Sequence, residues 1–144
     1  MSSQPPYGSS SAPQGKTKVL GLDYNIAGLL CYLLACLCLV NVIASIIWLV
    51  TEPKENKIVR FHALQGLLLF GVGVVLWIVF MFLGVGMTFA PSNAASAGGG
   101  LLISLVFWVC GLILFILHVI GMVKAYQQQI WKIPVIGSIA DKNS

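Results

Sequence analysis

The distribution of charged residues constrains this chain more than any other feature of its sequence. Eight Lys and Arg and four Asp and Glu occur among 144 residues, and two long stretches, residues 24–51 and 61–123, carry none of them. A soluble domain carries roughly 25% charged residues because its surface faces water, whereas this chain carries 8% and is 58% hydrophobic. The two charge-free stretches therefore predict a protein whose main solvent is the lipid bilayer.

Three segments of membrane-spanning length lie in these stretches. Residues 26–50 would form about 37 Å of helix at 1.5 Å per residue, and residues 63–89 and 101–123 are of similar length. The hydrocarbon core of a bilayer is about 30 Å thick, so each segment is long enough to cross it. Pro53 ends the first segment, because proline lacks a backbone donor and disfavours helical geometry in the residue before it. We therefore expect an all-α integral membrane protein with a bundle of three transmembrane helices.

Polar segments are predicted on both sides of this bundle. Residues 1–20 are rich in Ser, Pro, Gly and Gln and have almost nothing to bury, so we expect a disordered N-terminal tail. Residues 21–142 form the predicted helical membrane domain. Its last part contains an apolar patch that is too short to cross, and Trp131 and Lys132 predict a short interfacial segment that lies along the lipid headgroups.

The positions of Lys and Arg predict an orientation in a prokaryotic cytoplasmic membrane. Six of these cations lie in the first loop and the C-terminal segment, whereas only Lys16 and Lys18 precede the first span. Cytoplasmic loops carry the excess of Lys and Arg. The count therefore places the N-terminus outside and both the first loop and the C-terminus in the cytoplasm.

The sequence offers little for catalysis or for metal binding. All four cysteines, Cys31, Cys36, Cys38 and Cys110, lie in predicted spans, and we interpret them as small apolar residues. The common nucleotide-binding, zinc-protease and esterase motifs do not occur, and eight dispersed cations do not make a nucleic-acid-binding face. We expect neither an enzyme nor a bound cofactor.

Uncharged polar side chains inside the spans form the first candidate site. Polar groups in a bilayer are costly and usually find partners, and here they gather in the inner half of the predicted bundle. The candidate cluster consists of Asn41, Ser45, Arg60, His62, Gln65 and His118. Two interpretations stay open. One is ordinary hydrogen bonding between helices, and the other is a water-accessible cavity or cofactor site that uses the two histidines.

Part of this cluster lies at the predicted inner interface, at the start of the second span. Arg60 can reach lipid phosphates with its long side chain. Alternatively, Arg60, His62 and Gln65 form a polar platform that docks the C-terminal segment Ile133–Pro134 or a partner protein. The sequence leaves both interpretations open.

Glycines form the second candidate site. Gly66, Gly73 and Gly84 are separated by seven and eleven residues, which returns each of them to nearly the same face of one helix. A smooth face of this kind lets another backbone approach closely. It could pack within the three-helix bundle, against a partner or against a second copy of the chain.

Four strings of residues resemble a known family. They are Asn25–Leu33 (NIAGLLCYL), Val59–Gln65 (VRFHALQ), Lys124–Tyr126 (KAY) and Lys132–Ala140 (KIPVIGSIA). In this order they resemble a widespread family of small bacterial and archaeal membrane proteins with a domain of unknown function. That family is related to the twenty-kilodalton membrane subunit of the protein translocon in the chloroplast inner envelope, the TIC complex.

The resemblance implies a helical membrane bundle and a link to protein translocation. It marks Arg60, His62 and Gln65 as motif residues and attaches no catalytic role to them. The plant subunit is drawn with four spans and both termini on the inner side, whereas three spans are predicted here.

We therefore expect a non-enzymatic subunit or scaffold of a membrane complex. Its partners would be the lipid bilayer and other membrane proteins or a second copy of the chain, and by resemblance the complex could serve protein translocation or assembly. Two alternatives stay open. One is a small channel or transporter that acts as a homo-oligomer and is lined by Asn41, Ser45, His118 and the His62–Gln65 end. The other is a histidine-ligated pigment- or haem-binding subunit.

Overall fold

A computed structural model describes residues 15–33, 38–89 and 94–144 of the chain. The described residues form five helices. They are α1 (Tyr24–Leu30), α2 (Cys38–Thr51), α3 (Lys57–Thr88), α4 (Ala94–Tyr126) and α5 (Ile136–Asn143). The fold is therefore helical, as the sequence predicts.

The two longest helices, α3 and α4, form an antiparallel hairpin. The ring of Phe80 lies 5.2 Å from that of Phe107, and the backbone of Gly73 faces Leu114, so the helices run side by side in opposite directions. Their 32 and 33 residues give lengths of about 48–50 Å. A hydrocarbon core is only about 30 Å thick, which leaves room for one end of the hairpin to lie outside it.

These two helices match two of the three predicted spans. Within the described ranges, Lys57–Met87 and Ala97–Tyr126 are the segments long and apolar enough to cross a membrane. The first predicted span, residues 26–50, is divided between α1, with 7 residues, and α2, with 14 residues. Neither of them alone reaches across about 30 Å. The prediction of one continuous helix over residues 26–50 is therefore wrong.

α1 and α2 instead run in opposite directions, so both outer ends of segment 24–51 lie together. The backbone N–H of Lys18, before α1, donates to Glu52 Oε1, after α2, at 2.7 Å. Asn25, at the start of α1, accepts a hydrogen bond from Gln128, just beyond α4. The beginning of α1, the end of α2, the start of α3 and the end of α4 therefore share one end of the molecule, called the charged end below.

This arrangement corrects the predicted location of the N-terminal lysines. The cation count placed Lys16 and Lys18 across the membrane from the first loop, on the assumption that residues 26–50 cross it once. The contact between Lys18 and Glu52 puts the N-terminal segment beside that loop instead. The physical reason is that α1 and α2 run in opposite directions, which brings the two outer ends of segment 24–51 together.

Two glycines explain how the turn after α1 is seated. A β-carbon added to Gly66 of α3 would collide with the carbonyl of Cys31, and one added to Gly121 of α4 would come within 2.6 Å of the Tyr32 ring. The chain can therefore leave helical geometry at residues 31–33 and still pack tightly between the two long helices. Cys31 itself is buried, and its Sγ donates to the carbonyl of Ala27 at 3.3 Å.

The ordered chain begins before residue 21. The N–H of Thr17 donates to the carbonyl of Leu22 at 2.8 Å, and that of Tyr24 donates to Gly15 at 3.1 Å. Thr17 is buried. Of the predicted disordered tail, residues 15–20 are thus a packed turn, and residues 1–14 lie outside the described residues.

The two ends of the α3–α4 hairpin differ in how much they are covered. At the charged end, α1, α2 and α5 pack on the hairpin. Towards the other end, large apolar side chains of the described residues are exposed, among them Val75, Phe82, Phe89, Leu105 and Trp108. The outer face of α2 is also apolar and exposed. Such surfaces favour an apolar solvent or protein partners over water.

Replacement of Gly66 tests the seating of the turn. Gly66→Val is expected to destabilise the protein by about 1–3 kcal/mol, because its side chain must displace the Cys31 carbonyl. Gly71→Val is the matched control on the same helix, since nothing lies within 4 Å of a β-carbon there. Thermal unfolding in detergent, followed by circular dichroism, should show a lower midpoint for the first variant only. Equal midpoints would contradict the packing described here.

Candidate functional site

A chain of buried hydrogen bonds connects α1 to α3 at the charged end. His62 and Gln65 lie about one turn apart on α3, and both reach Tyr32 in the turn after α1. Gln65 Nε2 donates to Tyr32 Oη at 3.0 Å, and that hydroxyl lies 3.2 Å from His62 Nδ1, to which it can donate. All three side chains are buried. The phenol is thereby satisfied in a place where an unpaired hydroxyl would be costly.

Gln65 also holds the C-terminal segment against α3. Its Nε2 donates to the carbonyl of Trp131 at 3.1 Å, and its Oε1 accepts from the N–H of Ile133 at 3.4 Å. Ile133 is buried. Gln65 therefore contacts the C-terminal segment as the platform interpretation proposed, and this stretch packs on protein.

Arg60 fixes the charged end from another side. Its Nη1 donates to the carbonyls of Leu49 at 2.7 Å and Glu52 at 3.0 Å, at the end of α2, and its Nε donates to the backbone oxygen of Ser144 at 3.1 Å. A cation at the C-terminal end of a helix satisfies free carbonyls and interacts favourably with the helix dipole. Arg60 thus joins α2, α3 and the end of α5.

Glu52 completes this network, although the sequence did not mark it as a candidate. Its Oε1 accepts from the N–H of Lys18 at 2.7 Å, and its Oε2 accepts from Asn56 Nδ2 at 2.8 Å. Its side chain is buried. A buried carboxylate requires such partners, so this one residue fastens the N-terminal segment to the loop before α3.

The structure places the six predicted polar residues in two groups. Arg60, His62 and Gln65 belong to the network at the charged end. Asn41 and Ser45 lie one turn apart on the buried face of α2. Asn41 and His118 both line a space between α2, α3 and α4, away from the network at the charged end. The single cluster expected from a straight first span therefore becomes two, because α2 runs back from the turn.

Asn41 and His118 line an open cavity of about 470 Å³ between α2, α3 and α4, whose wall includes the exposed rings of Trp77 and Phe115. The rest of its wall is apolar and includes Phe70, Gly73, Gly111 and Leu114. Asn41 is 2% exposed, and its Oδ1 has no hydrogen-bond partner among the described residues.

His118 is oriented by its own helix. Its Nδ1 lies 2.8 Å from the carbonyl of Leu114, one turn earlier on α4. A carbonyl only accepts, so Nδ1 carries the proton in this bond, and Nε2 of the neutral ring is an acceptor. The cavity thus has two polar side chains, one from α2 and one from α4.

The predicted glycine face points largely into the chain itself. Gly66 packs against the turn after α1, and a β-carbon at Gly73 would lie 3.8 Å from Leu114 of α4. Gly84 lines a second cavity, of about 440 Å³, between α3 and α4. The intramolecular interpretation therefore accounts for Gly66 and Gly73.

The sequence reasoning missed Tyr32, which occupies the centre of the network. Tyr32 is the one phenol in residues 26–50, and a phenol buried in an apolar segment needs a hydrogen-bond partner. That rule marks the residue as unusual. It does not say that the partners come from α3, which only the packing of α1 against α3 decides.

Comparison with known proteins identifies the family. Residues 23–140 match the MamF/MmsF family, described as the magnetosome magnetite crystal formation protein family. The chain belongs to this family. The matched range contains the whole Tyr32–His62–Gln65 network and both polar residues of the cavity, Asn41 and His118. No solved structure matches the chain.

The chain is also similar to archaeal proteins named UPF0132 membrane proteins. One from Methanocaldococcus jannaschii is 42% identical over 130 residues, which cover 90% of this chain and 96% of the relative. A second from the same organism is 32% identical over 127 residues, covering 85% and 71%. One from Archaeoglobus fulgidus is 35% identical over 118 residues, covering 82% and 92%. These names agree with the predicted membrane family of uncharacterised function, but they do not support the link to the chloroplast translocon.

Removal of the Gln65 amide tests the network. Gln65→Leu should lower stability by about 1–3 kcal/mol for the buried groups that lose its hydrogen bonds, chiefly the Trp131 carbonyl and the Ile133 N–H. Gln127→Leu is the matched control, since Gln127 is exposed. Thermal unfolding in detergent should show a lower midpoint for Gln65→Leu than for Gln127→Leu. Limited proteolysis should cut the C-terminal segment faster in Gln65→Leu only. Identical behaviour of both variants would show that Gln65 does not hold the segment.

Proposed function

We propose that this protein is a non-enzymatic subunit of a membrane complex. The charged end is its fixed base, and the exposed part of the α3–α4 hairpin contacts transmembrane helices of other subunits or of a second copy. One observation carries this proposal. Large apolar side chains are exposed around most of α4, and four of the most exposed recur every three or four residues on one face: Leu101, Leu105, Trp108 and Leu112, with exposures of 74%, 62%, 73% and 59%.

The contrast between the two ends of the molecule supports this assignment. At the charged end, Arg60, Glu52 and Gln65 connect distant parts of the chain and leave little freedom. Towards the other end, two helices face the bilayer with few contacts beyond each other. Helices in a bilayer associate through close van der Waals packing, and a two-helix hairpin leaves most of its surface available for that.

The family description does not name a molecular role for this chain. It names magnetosome magnetite crystal formation for the family as a whole, whereas the archaeal relatives are named only as membrane proteins. For this chain, we propose that the partners determine the process that the complex serves. Protein translocation, which the resemblance implied, would be one such process.

We also propose that both described ends of the chain face the cytoplasm. The beginning of α1 and the end of α2 share the charged end, where the Lys18 backbone meets Glu52 and Arg60 meets Ser144. Cytoplasmic segments carry the excess of Lys and Arg. With the charged end in the cytoplasm, Lys16 and Lys18 lie on the same side as the other six cations, and all eight agree with this rule.

Cysteine labelling tests this topology. In a chain whose native cysteines are replaced by alanine, Lys16→Cys and Lys142→Cys should resist a membrane-impermeant maleimide in intact cells and react after lysis. Gly98→Cys, near the start of α4, should react in intact cells. Labelling of Lys16→Cys and Lys142→Cys on opposite sides would contradict the shared end. Labelling of both from outside would contradict the cytoplasmic orientation alone.

Disulfide crosslinking tests the assembly surface. In the same cysteine-free chain, Leu105→Cys and Leu112→Cys should form disulfide-linked pairs with a second copy or with a neighbouring subunit on mild oxidation in membranes. Ile43→Cys, on the exposed face of α2, is the control for random collision and should form fewer. A monomer in mild detergent, together with equal crosslinking at all three positions, would refute the subunit proposal.

A further inference from the structure

The C-terminal segment turns sharply at Val135 and leaves an apolar side chain exposed there. The N–H of Ile136 donates to the carbonyl of Pro134 at 2.9 Å, and Val135 between them has φ 68° and ψ −60°. These values are those of the rare, strained kind of γ-turn, and a positive φ is unusual for a β-branched residue. Val135 is nevertheless 75% exposed, so packing of its side chain within the protein does not account for the strain.

Helix α5 extends this apolar surface by one turn. The N–H of Ile139 donates to the Val135 carbonyl at 3.4 Å, and Ile139 is also exposed. The opposite face of α5 packs on the protein, where Gly137 and Ala140 are buried. A β-carbon at Gly137 would collide with the backbone of Lys132, so glycine lets α5 lie close to the preceding segment. Val135 and Ile139 are called the α5 apolar face below.

The depth of this face in the membrane follows from Gln65. Residues 66–87 of α3 carry no charged side chain and, apart from the indole of Trp77, no side-chain N–H or O–H. At 1.5 Å per residue they span about 33 Å, close to the roughly 30 Å of a hydrocarbon core. Gln65 therefore lies at the boundary of that core, and it binds the Trp131 carbonyl and the Ile133 N–H there. The α5 apolar face begins two residues later, at most about 7 Å along the chain, and thus at the level of the lipid headgroups.

The charge around this face selects the kind of lipid. Every Lys, Arg, Asp and Glu of the chain lies in the charged end, so the whole formal net charge of +4 is on this side of the hydrocarbon core. Lys142 of α5 is exposed. Basic segments near a membrane surface attract anionic lipids, and apolar side chains beside cations are typical of helices that lie in the interface. Since lipid surrounds a protein at this depth, the face fits lipid better than a soluble partner.

We propose that Val135 and Ile139 enter the bilayer at the headgroup boundary and that the cations around them collect anionic phospholipids there. The sequence suggested Trp131 and Lys132 for the interface, but Lys132 Nζ pairs with Asp141 Oδ2 at 2.7 Å. The lipid contact thus lies further along the chain. One copy of the chain forms it, so it does not depend on the proposed assembly.

Quenching by spin-labelled lipid tests the contact. In the chain whose native cysteines are replaced by alanine, Val135→Cys and Ile139→Cys are each labelled with bimane and reconstituted into phosphatidylcholine nanodiscs. Lipid with a nitroxide near the glycerol end of its acyl chain should quench both labels. Thermal unfolding identifies a variant that fails to fold, and either labelled position alone gives the result.

Lys54→Cys is the matched control for depth. Lys54 is exposed and precedes α3, and Lys57 at the start of α3 is already about 14 Å along the helix from Gly66. A label at Lys54 therefore lies beyond the headgroups and should be nearly unquenched.

Spin-labelled phosphatidylglycerol and phosphatidylcholine, added as equal small fractions of the lipid, test the charge preference. At low salt the label of Ile139→Cys should meet the anionic lipid about fivefold more often, as expected for one cation at a membrane surface. This enrichment should vanish in molar salt, where the screening length falls to about 3 Å. Lys142→Gln should lower the enrichment, whereas Lys54→Gln, farther from the face, should keep it.

Two results would overturn the proposal. If both α5 labels were as weakly quenched as the label at Lys54, the α5 apolar face would not touch lipid and would be open to water or to a soluble partner. If the α5 labels were quenched equally by the two lipids at low salt, the cations would not collect anionic phospholipid at this face.

Discussion

The hydroxyl of Tyr32 is the constraint on which the rest of the structure depends. A phenol in the middle of an apolar segment must find a partner, and it finds Gln65 and His62 on α3. To reach them, the chain leaves helical geometry after Leu30 and α2 returns in the opposite direction. Gly66 and Gly121 make room for this turn. The turn also brings Glu52, at the end of α2, beside the backbone of Lys18.

The turn divides the molecule into a packed end and a bare hairpin, and each part supports a different property. At the packed end, Arg60, Glu52 and Gln65 hold the N-terminal segment, α2 and α5 to the start of α3. Beyond the turn, α3 and α4 continue together with apolar surfaces for lipid or partner helices. The cavity with Asn41 and His118 lies at the edge of the contact between α2 and the α3–α4 hairpin. Its location is a direct result of the divided first segment.

Much of the architecture could be predicted from the sequence, because charge and hydropathy are local properties. The membrane location, the spans at 63–89 and 101–123 and the need of Arg60, His62 and Gln65 for hydrogen-bond partners follow from the residues themselves. The hairpin of α1 and α2 could not be predicted. Residues 26–50 have the length and polarity of a crossing helix, and the alternative depends on contacts with α3 and α4. The split of the candidate cluster into two groups has the same cause.

The sequence by itself determined the solvent of this protein, since 8% charged residues cannot cover a soluble domain. It also determined where helices end in polar segments and which polar side chains need partners. Only the tertiary structure decided who those partners are: Tyr32 for Gln65, Leu49 for Arg60, and a shared cavity for Asn41 and His118. The physical reason is that length and hydropathy act along the chain, whereas hydrogen bonds and close glycine contacts act between segments that the sequence keeps apart.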